Sequence, residues 1–572
     1  MQSLRQYRRI RAAVEHDLAQ SKRPSDAAVD LASLGANSPT PTGSSHDSDT
    51  SASVPPQLPG VTSTRPAEDD GAVTYIVGWK DDDPLNPQNW SLAKKWAVTL
   101  AVCLLTLAIT LVSSIDAPVA PEFNAYYGVG AVAGSLTTGL YLIGSGVGAL
   151  FAGTVSETFG RNVVYMSTFA VFLLFVIAKA LAPDYGGAVT FRFLTGFFGS
   201  TPMTAAGGSM ADVWGPLQMV YAVPFATMTS YAGPLLGPVV GAYLPRLGFR
   251  WADWVALIFG GAVLVYVVLW QPETYRPVLL EWRAERICEL TGNDRHRIGD
   301  HATAHTLGRR LLVNIYRPFL MVRTEPIILI FTFYLTVIYV VLFTFLNGYP
   351  FIFQQTYGIS RSLTFILWTA LLLTLPLIPL VYGWAKKAAA AGALTPEICL
   401  WYGMLGGSIA LPVSLWWMAW TCYPSVNIWV PIVGFVFFGY GLVTIFTTTF
   451  IYTVFVYQMH SASALAFLTS VRYVVAGAVI PASVPMYERL GPHKALTIPA
   501  VLATLMAPVP FVLYKYGAKI RGMSKMAPQL GIGKYLGNWV LLMVRGLSVL
   551  GGGRRCGLAV SSYTFGQGLI CK

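Results

Sequence analysis

Apolar runs of about twenty residues recur roughly a dozen times along this chain, more than any single soluble core could bury. They begin near Lys95, Ala131, Asn162, Ala188, Gln218, Trp251, Glu325, Arg361, Cys399, Asn427, Met459 and Pro492. A run of that length crosses the hydrocarbon of a bilayer as an α-helix, because the helix satisfies every backbone N–H and C=O within the segment. The composition agrees. Only 12% of the 572 residues are charged and 54% are hydrophobic, whereas a soluble domain is about 25% charged. The expected fold class is an all-α membrane protein with twelve transmembrane helices.

A net charge of +12 on one soluble face would point to nucleic acid. Its distribution points to topology instead. If the N-terminus lies inside and the number of spans is even, the inner segments carry eighteen Lys and Arg and the short outer loops carry five. By the positive-inside rule this places both termini in the cytosol and makes the lipid bilayer the partner of the basic segments, not nucleic acid. The six cysteines are scattered and suggest no disulfide framework. No apolar leader stands in the first 90 residues, so the first span is expected to act as an uncleaved insertion signal.

Residues 1–90 read as a disordered cytosolic tail, rich in Ser, Thr, Pro and Asp up to about residue 70. Within it, Tyr7 to Leu18 fits either a short basic helix at the membrane surface or a solvated strand of tail. A first six-helix bundle is expected over 91–271, a cytosolic loop over 272–324, a second bundle over 325–514 and a C-terminal cytosolic tail over 515–572. An internal echo suggests duplication: Arg246-Leu247-Gly248 recurs as Arg489-Leu490-Gly491, and Pro238 maps on Pro481 at the same offset. Transporters are commonly built from two such repeats, with the site at their interface. Residues 527–572 hold ten Gly and no acid, and read as an appended tail without a clear role.

The chemistry-bearing residues are few. No phosphate-binding loop, no Gly-x-Ser-x-Gly, no His-Glu-x-x-His and no paired intramembrane carboxylates are visible, so an enzyme is not expected and uphill transport would draw on an ion gradient. Cys288, His296, His301 and His305 fit no zinc spacing, and neither a metal nor a cofactor is expected. An ionisable residue at mid-bilayer costs about 2.5–3.5 kcal/mol on insertion scales and reads as functional by default. Arg192, in Arg192-Phe-Leu-Thr-Gly196, fits either a hydrogen-bonded structural arginine or a transport residue. Asp116, at the outer end of the first span, fits either a proton or cation site or an interfacial carboxylate. Arg472 is expected to pair with a carboxylate or a helix end. In Gly153-Thr-Val-Ser-Glu157-Thr-Phe-Gly160-Arg161-Asn162, the glycines suit a tight turn and Glu157 with Arg161 forms a candidate charge pair that Asp212 could join. The run Gly233-Pro234-Leu-Leu-Gly237-Pro238-Val-Val-Gly241 specifies close helix approach together with a bend, which is tolerated in hydrocarbon only where a neighbour covers the backbone. Tyr141, Tyr231, Tyr334, Tyr339, Asn347, Tyr440 and Tyr452 are candidates for a cavity lining, against the alternative of packing or interfacial aromatics.

These motifs together resemble the major facilitator superfamily. Gly153 to Asn162 is similar to its loop motif, Arg192 to Gly196 to its fourth-span motif, and Gly233 to Gly241 to the fifth-span motif of its proton antiporters. Asn86-Pro-Gln-Asn-Trp-Ser91 and Pro272-Glu-Thr-Tyr-Arg-Pro-Val-Leu-Leu280 look like the fungal twelve-span drug:proton antiporters, over about residues 80–525. The resemblance implies two pseudo-symmetric six-helix bundles, alternating access, and export of a small organic compound such as a secondary metabolite or toxic drug against proton uptake. It implies proton coupling by Arg192, beside which Asp116 stands as the carboxylate candidate from its own position, an inner gate of Gly153, Glu157, Gly160, Arg161 and Asp212, and a leak-limiting seal at the fifth-span glycines and prolines. A monomer in the plasma membrane is expected. Glu157 stands where Asp is usual and Asn162 where a second basic residue is common, which implies a weaker gate. The scarcity of acids in the spans argues against polyamines and for a neutral, anionic or amphipathic substrate. The alternative is an importer of a sugar or organic acid; Pro272-Glu-Thr-Tyr275 in place of the Pro-Glu-Ser-Pro-Arg of sugar porters favours export.

Overall fold

Apolar segments become helices wherever the computed structural model describes them, which is over residues 2–21, 60–64, 74–80, 82–292, 296–297, 316, 319, 321, 324–360, 363–364, 397, 400–457 and 461–524. The bulk of the span expected from Arg361, the loop residues His301 and His305, and the stretch 527–572 lie outside the described residues. Helix α1 is Gln2–Ser21. The apolar part begins with α2 (Leu92–Ser114), the short α3 (Ala120–Tyr127), α4 (Ala131–Phe159), α5 (Arg161–Ala180), α6 (Tyr185–Val213), α7 (Pro216–Gly241) and α8 (Trp251–Trp270). After α9 (Arg276–Thr291) come α10 (Pro326–Pro350), α11 (Leu411–Thr421), α12 (Trp429–Tyr457), α13 (Ser461–Met506) and α14 (Pro508–Gly522). Wider π-type turns extend α10 over Phe351–Gln355 and precede α11 over Gly403–Ala410.

Seven helical segments among the described residues are long and apolar enough to cross a bilayer: 92–127, 131–159, 161–180, 251–270, 326–355, 429–457 and 463–522. The chain is therefore an all-α membrane protein in its apolar part. Helices α6 and α7 are 29 and 26 residues long, but Gly, Ser, Thr and Pro dilute their hydropathy. The segment 463–522 counts once although Gly491, at φ 73° and ψ 164°, breaks the helical path within it. The sequence echo noted above has a conformational counterpart here. Gly248 and Gly491, the glycines of the two Arg-Leu-Gly tripeptides, both adopt left-handed φ, at 104° and 73°.

In α8 the two faces divide cleanly. Ala252, Asp253, Ala256, Gly260, Val263 and Val267 are buried at helical spacing, while Ile258, Val265 and Trp270 are exposed and apolar, as a lipid-facing surface requires. Small residues decide how the interior helices meet. A Cβ on Gly144 or Gly196 would lie 2.1 Å from the backbone carbonyl oxygen of the facing helix, so α4 and α6 touch backbone to backbone. The first and second groups of helices meet in the same way: a Cβ on Gly139 of α4 would lie 2.7 Å from the Gly477 carbonyl oxygen of α13, and one on Gly477 would lie 2.5 Å from that of Gly139.

At one end of the first group sits a small polar layer. β1 (Val61–Thr64) pairs antiparallel with β2 (Thr74–Val77), and β2 pairs in parallel with β3 (His296–Arg297), so segments before α2 and after α9 share one sheet. Helix α1 lies on α9. Val14 and Leu18 pack with Val77, Ala284 and Ile287, and ion pairs rim this cluster: Arg283 with Asp17 and Asp83, Lys80 with Asp17, and Arg286 with Glu15 and Glu289. The solvated tail expected from composition is thus corrected for residues 2–21. The tail composition masks an amphipathic pattern whose apolar side has a partner only once α9 is in place. Leu18→Asp puts a charge into this cluster and removes a contact worth about 2–5 kcal/mol. The expected outcome is rapid tryptic cleavage at Arg5, Arg8, Arg9 or Arg11 with the rest of the chain intact, and cleavage no faster than in the wild type would refute the docking.

Candidate functional site

Helix α7 turns its three glycines toward α2. The spacing of four residues puts Gly233, Gly237 and Gly241 on one face, and there they meet the segment from Thr110 to Pro118. A Cβ would lie 1.9 Å from Thr110 Oγ1 at Gly233, 2.4 Å from Ser114 Oγ at Gly237 and 2.4 Å from the Ile115 carbonyl oxygen at Gly241. No larger side chain fits at this separation. Pro234 and Pro238 follow the glycines by one residue, and the Ala242 N–H closes the end of the helix on the Pro238 carbonyl at 2.9 Å. The close approach expected from the sequence is present, with α2 as the covering neighbour.

The end of α2 delivers Asp116 to a buried four-charge cluster. Asp116 Oδ2 lies 2.7 Å from Lys179 Nζ and 3.1 Å from Arg192 Nη2, and Lys179 Nζ also reaches Asp253 Oδ1 at 2.8 Å. Arg192 is fully buried; its Nη2 donates to the Val112 carbonyl at 2.6 Å and its guanidinium lies 4.7 Å from the ring centre of Tyr141. Tyr141 in turn donates to the Ile109 carbonyl at 2.8 Å, which ties its ring to this cluster. Two acids balance two bases, which is how a low-dielectric interior tolerates charge. Asp116 Oδ1 has no hydrogen-bond partner. A cavity of about 10 Å³ adjoins it, lined by Lys179, Phe123 and Phe249 among others, with room for about one water at most. Asp116 and Asp253 are brought together by one shared lysine, an arrangement of ion-paired acids and not the carboxylate pair a membrane hydrolase would need. Neither Lys179 nor Asp253 was singled out by the sequence, because a lone charge near the end of an apolar run also fits snorkelling to the interface.

At the opposite end of α5 a second arrangement centres on Glu273. Gly160, at φ 92° and ψ 160°, separates α4 from α5 in a conformation that L-residues avoid, and a Cβ there would lie 2.7 Å from Glu273 Oε2. This turn aims the first N–H groups of α5 at the glutamate. Oε1 accepts from the Arg161 N–H at 2.9 Å and Oε2 from the Asn162 N–H at 3.0 Å, while the N–H groups of Thr274 and Tyr275 add bonds of 2.9 and 2.8 Å. The carboxylate thus caps a helix N-terminus from a distant segment. Burial raises the Glu273 carboxyl above the ordinary glutamate range, and these four backbone donors oppose that rise. Gln6 of α1 brackets the same residue, donating to its carbonyl at 3.2 Å and accepting its N–H at 3.0 Å.

Arg161 pairs with Asp212 at 3.4 Å and donates to Ser156 Oγ at 2.6 Å, and Ser156 donates to the Gly153 carbonyl at 2.9 Å. Arg161 thus forms an ion pair with Asp212, and the Glu157 carboxylate lies near enough to act on its charge. Gly208 makes room for the guanidinium, since a Cβ there would lie 2.4 Å from Nη2. Glu273 was visible in the sequence only as part of a motif string, and its capping role needed the fold.

The remaining candidates separate. Tyr231 packs on Phe446 at 4.6 Å between ring centres, joining α7 to α12. Tyr339 donates to Tyr473 OH at 3.0 Å and lies under the Arg472 guanidinium. Asn347 donates to Ser483 at 3.0 Å, within the second group. Tyr334 faces Gly407, and Tyr452 packs on Phe331 at 5.3 Å, both within that group, while Tyr440 of α12 is half-buried. Arg472 has neither the carboxylate nor the helix end expected for it among the described residues.

Comparison with known proteins decides the family, since the family model described as Major Facilitator Superfamily matches residues 102–481. The chain belongs to the Major Facilitator Superfamily. The MFS-type transporter kojT of Aspergillus flavus is 41% identical over 489 residues, covering 82% of this chain and 86% of kojT. The ascochitine biosynthesis cluster MFS transporter of Didymella fabae is 33% identical, covering 80% and 90%, and the multidrug transporter mdrA of Aspergillus fumigatus is 33% identical, covering 79% and 76%. Among solved structures, the human organic anion transporter MFSD10 aligns with a TM-score of 0.54 at 16% identity, over 73% of this chain and 99% of that one, a likeness of fold alone. As a member of the superfamily the chain is a multi-pass membrane transporter and not an enzyme.

Two outcomes test this geometry. Gly237→Ala, which drives a Cβ into Ser114 and the Leu111 carbonyl, is expected to cost about 1–3 kcal/mol. Gly261→Ala, at a helical glycine with open space, is expected to be neutral or slightly stabilising. Equal thermal stabilities of the two purified variants would contradict the seam. Lys179→Met leaves two buried carboxylates without their shared cation and is expected to cost about 3–5 kcal/mol. Adding Asp253→Asn should recover part of that loss in the same thermal assay, and a second loss of equal size would contradict the shared pairing.

Proposed function

We propose that this transporter exports a small organic compound in exchange for protons, by alternating access of two six-helix bundles that total twelve spans. Beyond the seven apolar segments, α6, α7, the break at Gly491, the 400–421 helical stretch and the apolar run from Arg361 support that count. The observation that carries the reading is the buried cluster of Asp116, Arg192, Lys179 and Asp253, held in place by the α7 glycines. Such a cluster is neutral when both acids are ionised. A proton arriving on the free Oδ1 of Asp116 leaves Arg192 and Lys179 with less counter-charge in a poorly solvated site, which favours a state in which water reaches them. Asp116 is in this reading the proton carrier, with Arg192 and Lys179 as the groups that sense its charge.

At the other end, Gly153, Gly160, Arg161 and Asp212, with Glu157 nearby and Glu273 as the cap, form the cytosolic gate that holds the bundles closed on that side. The glycine and proline face of α7 acts as the seal against leak. The names of relatives, among them a multidrug transporter and an MFS-type efflux pump, support export, and the carrier named for an ascochitine biosynthesis cluster supports a secondary metabolite as cargo. In this reading both termini lie in the cytosol, on the positive-inside distribution of Lys and Arg, and the protein works as a monomer in the plasma membrane.

The test is accumulation of labelled candidate compounds in cells with and without the gene, with and without a protonophore. Lower accumulation in expressing cells, abolished by the protonophore, is the expected result. Higher accumulation would favour the importer, and efflux unchanged by the protonophore would remove proton coupling. Asp116→Asn and Arg192→Ala, in correctly localised protein, should each cut efflux at least about tenfold, the equivalent of ~1.4 kcal/mol in the barrier; full activity of Asp116→Asn would remove it as the proton carrier.

A further inference from the structure

Arg472 is a buried cation without a counter-ion among the described residues. It is 5% exposed, near the middle of the part of α13 that precedes Gly491. Its Nη2 donates to Thr469 Oγ1 at 3.3 Å, and Nε and Nη1 have no hydrogen-bond partner. Three rings surround it, with the guanidinium carbon 4.9 Å from the ring centre of Tyr339, 5.3 Å from Phe446 and 5.4 Å from Tyr473. Cation–π contacts of this kind engage the faces of a guanidinium, whereas its N–H donors lie in its plane. The rings therefore leave the donors unanswered.

No carboxylate of the second group of helices is available to answer them. Between residues 325 and 524 the sequence has three acids, Glu325, Glu397 and Glu488. Glu325 accepts from Tyr457 OH at 3.1 Å and from Ser524, Glu397 pairs with Arg521 at 2.8 Å, and Glu488 is exposed sixteen residues along α13, about 24 Å away by helical rise. The undescribed stretch 365–396 contains no Asp or Glu at all. On the facing side, Asp116 is held by Lys179 and Arg192, Asp253 by Lys179, and Asp212 by Arg161.

The cage also lies where the two groups of helices meet. Tyr473 OH donates to Met203 Sδ of α6 at 3.5 Å, and Phe446 packs on Tyr231 of α7 at 4.6 Å. A rocking motion that parts α6 and α7 from α12 and α13 would uncover the guanidinium and its rings together. An occupant of that opened space meets a fixed positive charge, free N–H donors and flat aromatic walls.

We propose that Arg472, with Tyr339, Phe446 and Tyr473, forms the binding site for an organic anion carrying a planar ring, so that the cargo itself supplies the missing counter-ion. This deepens the transport reading above and rests on it for the word cargo. The anion would accept hydrogen bonds from Nε and Nη1, and its ring would lie against the aromatic walls.

The experiment measures equilibrium binding of radiolabelled 2-naphthoate and of neutral 2-naphthamide, which share one ring system, to the purified full-length protein at pH 7. The expected result is a preference for the anion of about tenfold or more, because the amide leaves the buried charge unmatched. Arg472→Gln should abolish that preference while leaving the amide affinity within about twofold, and Arg472→Lys should keep the preference with weaker binding of the anion. Should the Gln variant fail to fold, the wild-type comparison and the Lys variant decide alone. Failure of 2-naphthoate to bind more tightly than the amide, no binding included, overturns the proposal, as does an undiminished preference in a folded Arg472→Gln. Gradient-driven export measured in proteoliposomes separates the two readings. Export without anion preference overturns this site only, and anion preference without proton-driven export overturns only the export reading.

Discussion

How closely α7 lets α2 approach governs the rest of the first group of helices. Lipid is as apolar as a leucine side chain, so helices in a bilayer gain little from hydrophobic burial against one another and depend on packing and hydrogen bonds. Gly233, Gly237 and Gly241 remove the side chains that would hold α2 away, and α2 ends against them at Ser114 and Ile115. The next residue is Asp116. A wider seam would carry that carboxylate away from Lys179 and Arg192, leaving Lys179 to Asp253 alone and Arg192 buried without a carboxylate, so helix separation and charge pairing are one constraint seen from two sides.

The other end of α5 follows the same logic with a different partner. Gly160 permits a backbone turn that no side chain would allow, and the turn aims two N–H groups at Glu273. Glu273 is set by the chain leaving α8, its carboxylate caps α5 and its backbone is gripped by Gln6 of α1, so three segments far apart in sequence converge on one residue. The start of α5 is thus tied to the polar layer of α1, α9 and the small sheet, while its far end, at Lys179, is tied to Asp116 and Asp253. A displacement of α5 disturbs both arrangements at once. That shared element gives the two sites a physical route of coupling, of the kind a transport cycle needs.

Much of this was legible in the sequence where spacing alone carried the information. The apolar runs, the four-residue glycine repeat and the glycine before Arg161 each specify geometry locally, and each is found where that geometry is needed. The role of α1 was not legible, because its apolar residues have meaning only beside Ala284 and Ile287, far along the chain. Lys179 and Asp253 were missed for the same reason: each is an ordinary helix-end charge until the fold places them 2.8 Å apart. The Glu157–Arg161 proximity came from adjacency in sequence, whereas the Arg161–Asp212 ion pair, offered by the sequence only as an addition to it, needs the fold to bring Asp212 across from α6.

Arg192 and Arg472 invite direct comparison because their settings are nearly alike. Each is buried in a helix, and each lies over a tyrosine ring, Tyr141 at 4.7 Å and Tyr339 at 4.9 Å. What differs is one carboxylate. Arg192 has Asp116 at 3.1 Å, and through Lys179 it shares in a cluster whose charges cancel; Arg472 has three rings and a threonine hydroxyl. A duplicated architecture would let both halves compensate their arginine from within. Among the described residues the first half alone does so, and the same burial that makes a paired charge tolerable makes an unpaired one attract whatever anion can reach it. On the transport and cargo readings proposed above, the asymmetry divides labour between the halves: internal compensation suits a cluster in which Asp116 gains and loses a proton, and an open valence suits an arginine whose compensation comes and goes with what is carried.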